Sequence, residues 1–130
     1  MLSLRGYIFS RSFMGERVPQ NIQNLLLREY CLKNNFNYLL SMSEYAMNDS
    51  SAMLYDAIMG KDNDGIVAYS LFQMPYDDEL RESYLKKIIK EKKIIHFALE
   101  DLSVEKKEDI KSIDEIWLIK KSLDYCITSL

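Results

Sequence analysis

The sequence predicts an α/β fold: a three-layer sandwich in which a four-stranded parallel sheet carries helices on both faces. Three observations predict it. Four short apolar runs recur along the chain, and a segment of helical character follows each. The runs are near-continuously apolar rather than alternating, the pattern of strands covered on both faces. Strands alternating with helices are joined by right-handed crossovers, which put helices on the two sides of one sheet. The expected strand order is 2-1-3-4, within one α/β domain spanning residues 1–130.

"GYIFS" (6–10) is the first strand. Pro19 then suits the first turn of a helix, and "PQNIQNLLLREYCLKNN" follows, with Ile22, Leu25, Leu26 and Cys31 or Leu32 near helical spacing. Asn34 and Asn35 end it, since Asn accepts the left-handed conformation at a helix C-terminus. "FNYLLSM" (36–42) is the second strand, "SEYAMNDS" a loop, and "SSAMLYDAIMG" a short helix closed by Gly60. "KDNDG" is a turn leading into "IVAYSLF" (66–72), the third strand. "QMPYDDE" opens the third helix with acids near its positive end, and "KKIIKEKK" closes it with cations near its negative end. "IIHFALE" (94–100) is the fourth strand, and "DLSVEKKEDIK" is a polar connection. In "SIDE", Ser112 and Glu115 have capping-box spacing, and the last helix carries a stripe of Ile116, Ile119, Leu123, Cys126 and Leu130.

The totals bound the function. The chain is 48% hydrophobic and 28% charged, an ordinary composition for a soluble domain of 130 residues that buries a core without disulfides. Its net charge of -3 argues against a nucleic-acid partner, whose binding face is normally basic. Cys31 and Cys126 lack the spacing of a zinc or redox motif and read as buried thiols. "MLSLRGYIFS" has neither the flanks nor the cleavage pattern of a signal peptide, and no apolar run is long enough to span a bilayer. A cytoplasmic location with no membrane partner is expected.

Parallel sheets bind ligands beyond the carboxyl ends of their strands, where the strand order reverses. The residues expected there are Ser10, Arg11, Ser12, Glu16 and Arg17 after strand one, and Ser43, Glu44 and Tyr45 after strand two. Tyr69, Ser70 and Gln73 follow strand three, and His96, Glu100, Asp101 and Ser103 belong to strand four. Arg11 and Arg17 are forks suited to phosphate or carboxylate, or are surface arginines pairing with Glu16 or Glu44. His96 is either a hydrogen-bonded core residue or, with Glu100 or Glu44, a general acid or base. Ser10 and Ser70 are nucleophiles where a base lies beside them, and otherwise hydrogen-bond backbone or ligand. Gln73 is placed to orient a hydroxyl, and Tyr45, Tyr69 and Tyr76 to line the rim. Phosphate-loop motifs are missing, so no nucleotide cofactor is expected. One histidine and two distant cysteines argue against a transition-metal centre, while carboxylate-bound magnesium stays open.

Two families resemble these blocks. "RGYIFSRSFMGERVPQNIQNLLLREYC", "SEYAM", "DGIVAYSLFQMP", "HFALEDLS" and "EDIKSIDEIW" are together similar to the sporadic carbohydrate cluster protein family, from Arg5 to about Leu123. That resemblance implies a context of bacterial surface-polysaccharide or other sugar biosynthesis. It singles out Ser10, Arg11, Arg17, Gln20, Glu44, Tyr45, Ser70, Gln73, His96 and Glu100 as the polar positions to test. The implied reading is an anionic sugar held by Arg11 and Arg17, hydrogen-bonded by Gln20, Tyr45, Ser70 and Gln73, and isomerised, epimerised or dehydrated without a cofactor. His96, Glu100, Glu44 and Ser10 are its catalytic candidates. The alternative is a non-catalytic scaffold for a pathway enzyme, and a homodimer stays open. The second resemblance is to serine recombinase catalytic domains, whose first strand reads G-Y-x-R-V-S. Here Gly6 to Arg11 reads G-Y-I-F-S-R, so Phe9 replaces the arginine, and Arg11 stands where the nucleophile belongs, with Ser10 one residue early. The family's later D-R-L-x-R run falls near "LFQMP", which lacks both arginines. This resemblance implies the topology.

Overall fold

A computed structural model describes residues 1–13, 17–47 and 49–128, with side chains to Tyr125; Glu16, Leu130 and the side chain of Cys126 lie outside the described residues. In chain order, β1 (Ser3–Phe9), α1 (Gln20–Lys33), β2 (Asn37–Glu44), α2 (Ala52–Met59) and β3 (Gly65–Ala68) come first. A 3-10 turn (Leu71–Gln73), α3 (Asp78–Lys90), β4 (Ile94–Phe97), β5 (Leu102–Val104) and α4 (Lys107–Thr128) complete it.

The sheet order is β2-β1-β3-β4-β5. The first four strands are parallel in the expected order, but the sheet has five strands, not four. β5 runs antiparallel to β4, pairing Ser103 with His96 and Val104 with Ile95. A three-residue strand leaves little periodicity to read. Asp101, at φ 54°, turns the chain back, and Asp101 N–H donates to the Ala98 carbonyl at 3.3 Å.

Two expected strands end early for identifiable reasons. β3 stops at Ala68 because Ser70 caps the 3-10 turn, its hydroxyl accepting from Phe72 N–H at 3.1 Å. β4 stops at Phe97, before the turn at 98–101. β2 instead runs two residues beyond its expected end, so Ser43 and Glu44 are strand residues. Its register against β1 shifts between Arg5 and Tyr7. Gly6 sits at that shift because a Cβ there would collide with the Tyr38 ring and Ser41.

Each strand divides its side chains between two cores by the two-residue period. Leu4, Ile8 and Val67 meet Leu27 and Cys31 of α1 on one face. Tyr7, Phe9, Ile66 and Phe97 meet α2, α3 and α4 on the other, through Leu54, Leu85 and Trp117. The stripes differ from expectation on two helices. α1 buries Gln23, Leu27 and Cys31, leaving Ile22, Leu25 and Leu32 at 47%, 59% and 74% exposure. α4 buries Ile110, Ile113 and Trp117 and exposes Ile119 and Leu123. It also starts at Lys107, with Ser112 and Glu115 inside it rather than capping it. Asp109 does the capping, accepting from the N–H groups of Glu105 and Lys106 at 3.0 and 3.1 Å. Among the described residues no helix is long and apolar enough to cross a membrane.

Candidate functional site

β2 lies on one side of β1 and β3 on the other, so the chain leaves the carboxyl ends of β1 and β3 in opposite directions and opens a crevice between them. A recess of about 400 Å³ lies at this end. Its apolar wall is aromatic: Phe9 from β1, Phe13, Phe72 and Tyr76 from the following loops, and Trp117 from α4. Its polar wall comes from Ser12, Asp49, Ser50, Ser51, Gln73 and Asp77. The rings pack edge to face, Phe9 on Phe13 at 5.6 Å and Phe72 on Trp117 at 5.1 Å between centroids.

The first-loop arginine is spent on its own backbone. Arg11 donates to the carbonyls of Tyr45 and Met47 at 2.7 and 3.0 Å and of Ser50 at 2.8 Å. Its guanidinium carbon lies 4.1 Å from the centre of the Phe9 ring. It therefore ties the loop after β2 to β1. Arg17 is exposed and carries no ion pair among the described residues.

Glu44 is 2% exposed. It accepts from Tyr7 Oη–H at 2.8 Å, from Ser50 Oγ–H at 3.0 Å, and from the N–H groups of Tyr45, Met53 and Leu54 at 3.1 to 3.3 Å. Two of those donors are the open N–H groups of α2, so Glu44 anchors that helix. Burial is the largest influence on its carboxyl and raises the pKa. The hydrogen bonds from Tyr7, Met53, Tyr45 and Ser50 together outweigh it, so the net shift is downward. The Tyr7 hydroxyl is pushed far up by burial and by the neighbouring carboxylate.

Ser70 and Glu100 do meet: the hydroxyl donates to the carboxylate at 2.8 Å, and Leu71 N–H donates to its other oxygen at 2.8 Å. Gln73 is buried, and its Nε2 donates to Gln23 Oε1 at 2.9 Å. Gln23 in turn bonds both polar groups of Phe9, at 3.0 and 2.9 Å, continuing the strand with a side-chain amide. Ser10 reaches the Glu44 carbonyl at 3.4 Å. Gln20 accepts from Ser43 at 3.2 Å, and the Tyr45 side chain is 54% exposed.

The expectation that His96 shares a hollow with these groups is corrected. It faces α1 on the other side of the sheet, with Nδ1 2.8 Å from the Tyr30 hydroxyl and its ring 4.7 Å from that of Phe36. Strand alternation explains this: Ile95 and Phe97 face the large core, so His96 points away from it. Burial lowers its pKa, against smaller opposing influences from Asp101 and Glu105. Sequence reasoning also missed Gln23, Phe13 and Trp117 as members of this end of the sheet. Trp117 carried one signal, as the chain's single tryptophan. Among the described residues no group of three or more His, Cys, Asp or Glu is placed to hold a metal.

No family model matches the chain, and no curated protein matches its sequence. Several solved structures match it, among them two that do so along almost their whole lengths. One is the N-terminal catalytic domain of TP901-1 integrase, with a TM-score of 0.59 at 14% identity over 95% of this chain and 98% of that one. The other is a resolvase family site-specific recombinase from Streptococcus pneumoniae, with a TM-score of 0.63 at 12% identity over 97% of each chain. The fold is that of serine recombinase and integrase catalytic domains, as the second resemblance implied. These neighbours overturn the expected role in sugar biosynthesis, both as an enzyme and as a scaffold for one. The expected partners, an anionic sugar with nucleic acid excluded, fall with it. The geometry gives a physical reason: the recess wall carries two carboxylates, Asp49 and Asp77, and its one guanidinium is committed to carbonyls.

Proposed function

We propose that this chain is a nucleic-acid-binding domain of the serine recombinase fold that holds its partner without serine strand exchange. One observation carries the binding half. Five of the eight residues from 86 to 93 are lysine, and Lys86, Lys90 and Lys92 are exposed together around the C-terminal end of α3. Lys86 has a loose partner in Glu82 at 3.5 Å, and Lys93 turns inward to the Gly60 carbonyl and Asn63. Lys90 and Lys92 have no ion pair among the described residues. A net charge of -3 is thus compatible with a local cationic face, which is what phosphate backbones bind. Recombinase neighbours make nucleic acid the favoured polyanion.

The second half follows from the first loop. Strand exchange by a serine needs guanidinium groups to stabilise the charge that builds on phosphorus. Phe9 stands in place of one arginine, "LFQMP" lacks two more, and Arg11 fills the nucleophile's position with both its Nη groups donating to backbone carbonyls.

Fluorescence anisotropy of a labelled DNA duplex and of its single strand, over a series of salt concentrations, tests the binding. Affinity is expected to fall linearly with salt on logarithmic axes. The Lys90→Glu, Lys92→Glu double variant is expected to flatten the slope by about two, given roughly 0.9 per phosphate contact. No binding at low salt, or an unchanged slope in the double variant, overturns the reading.

A further inference from the structure

We infer that the recess at the carboxyl ends of β1 and β3 is a binding site for an unpaired nucleobase that carries an exocyclic amino group. The inference rests on the nucleic-acid reading for its class of ligand, but uses a different part of the molecule. Lys90 and the recess rim lie at opposite ends of α3, a helix of 13 residues and therefore about 20 Å long.

Three features of the recess agree on the ligand. Its size of about 400 Å³ suits a small planar group. Phe13, Phe72 and Tyr76, backed by the buried Phe9 and Trp117, give apolar ring surface on which a base stacks whatever its sequence context. Trp117 is 1% exposed, yet its indole N–H finds no acceptor among the described residues. A buried donor of this kind is normally satisfied, and a ring nitrogen or carbonyl of a base supplies the acceptor once Phe72 and Tyr76, packed edge to face on the indole, move apart to admit it.

The charges narrow the class further. Asp77 uses one carboxylate oxygen to accept from Leu80 N–H at 2.9 Å, which leaves the other for a ligand. Asp49 adds a second carboxylate to the same wall. Carboxylates accept from amino groups and repel phosphate. The base therefore enters the recess and its phosphate stays outside. Adenine, cytosine and guanine carry the amino group; thymine and uracil do not. The source is either a free nucleoside or a base swung out of a strand, and the two share this chemistry.

Trp117 is the chain's single tryptophan, so its emission reports on the recess. The whole protein is titrated with adenosine, cytidine, guanosine, thymidine and uridine, and with short single strands and duplexes. Saturable quenching by the three amino-bearing nucleosides, weak or absent with thymidine and uridine, supports the site. Tyr76→Ala, at a position 57% exposed, is expected to weaken binding roughly five- to a hundredfold. Asp77→Asn keeps a helix-capping side chain and is expected to erase the preference for amino-bearing bases. Quenching equal for all nucleosides and unchanged in Tyr76→Ala overturns the inference. So does an unresponsive Trp117 while anisotropy still reports DNA binding, and that outcome leaves the nucleic-acid reading standing. Nucleosides that bind where DNA does not support the recess and overturn the reading of the lysine face. Quenching by single strands but not by nucleosides assigns the source as a strand.

Discussion

Glu44 illustrates how a single carboxylate becomes part of the framework. Its oxygens collect five donors from β1, the loop after β2 and the start of α2. Hydrogen bonds to a charged group contribute about 1.5–3 kcal/mol each, so Glu44→Ala is expected to cost about 3 kcal/mol or more in denaturant unfolding. The sign of its pH dependence follows from its lowered pKa. Its stabilisation is complete above the ordinary value of 4.5 and disappears as pH falls through the folded value. His96 acts at higher pH. Its folded pKa lies below the ordinary 6.5, so between those values the unfolded chain holds the extra proton. Stability is therefore complete above about pH 6.5 and declines as pH drops below it. Melting temperatures from pH 7 downward are expected to fall earlier in the wild type than in His96→Gln; identical curves contradict this account. Both residues were legible as polar groups near strand ends, but their surroundings were not. A glutamate in the strand "FNYLLSMSE" gives no sign that the next helix will begin against it.

At the scale of elements, one device holds the recess rim in place. Arg81 of α3 is 2% exposed. It donates to the Pro75 and Tyr76 carbonyls at 3.1 and 3.2 Å and to Asp78 at 2.6 Å. Its guanidinium carbon lies 4.4 Å from the centre of the Trp117 ring. Lys121 adds a second tie, 2.8 Å from Asp78 and 4.1 Å from the Tyr76 ring centre. Arg81→Leu leaves two carbonyls without their donor and is expected to cost about 2–4 kcal/mol. The same change should shift Trp117 emission to the red as water enters; an unshifted spectrum contradicts the role given to Arg81. The elements themselves were largely legible. "GYIFS" and "FNYLLSM" fall on strands, "IVAYSLF" is strand as far as Ala68, and the helices follow them in the expected order. The failures share a cause: partners distant in sequence decided them. Gln23 displaces Ile22 and Leu25 from the buried stripe of α1 because the polar groups of Phe9 need an amide partner. β5 is three residues long and exists because β4 offers it an edge.

For the whole molecule, total charge hides how the charge is arranged. The value of -3 averages a lysine-rich end of α3 with carboxylates at the recess. Only the arrangement in space separates them. The fold was legible, including the strand order of its four parallel strands, because alternating strands and helices leave few topologies. Convergence at the strand ends was legible in part: Ser70 and Glu100 meet, while His96 lies across the sheet. The central claim is a recombinase fold that keeps a nucleic-acid partner and lacks the guanidinium groups of strand exchange. Its most direct test is electrophoresis of one sample, end-labelled DNA mixed with the protein, under native and denaturing conditions. The account predicts retarded DNA in the native gel, released by salt, and free DNA in the denaturing gel. Label that stays attached to the protein after denaturation, and is lost in Ser10→Ala or Ser12→Ala, would contradict it.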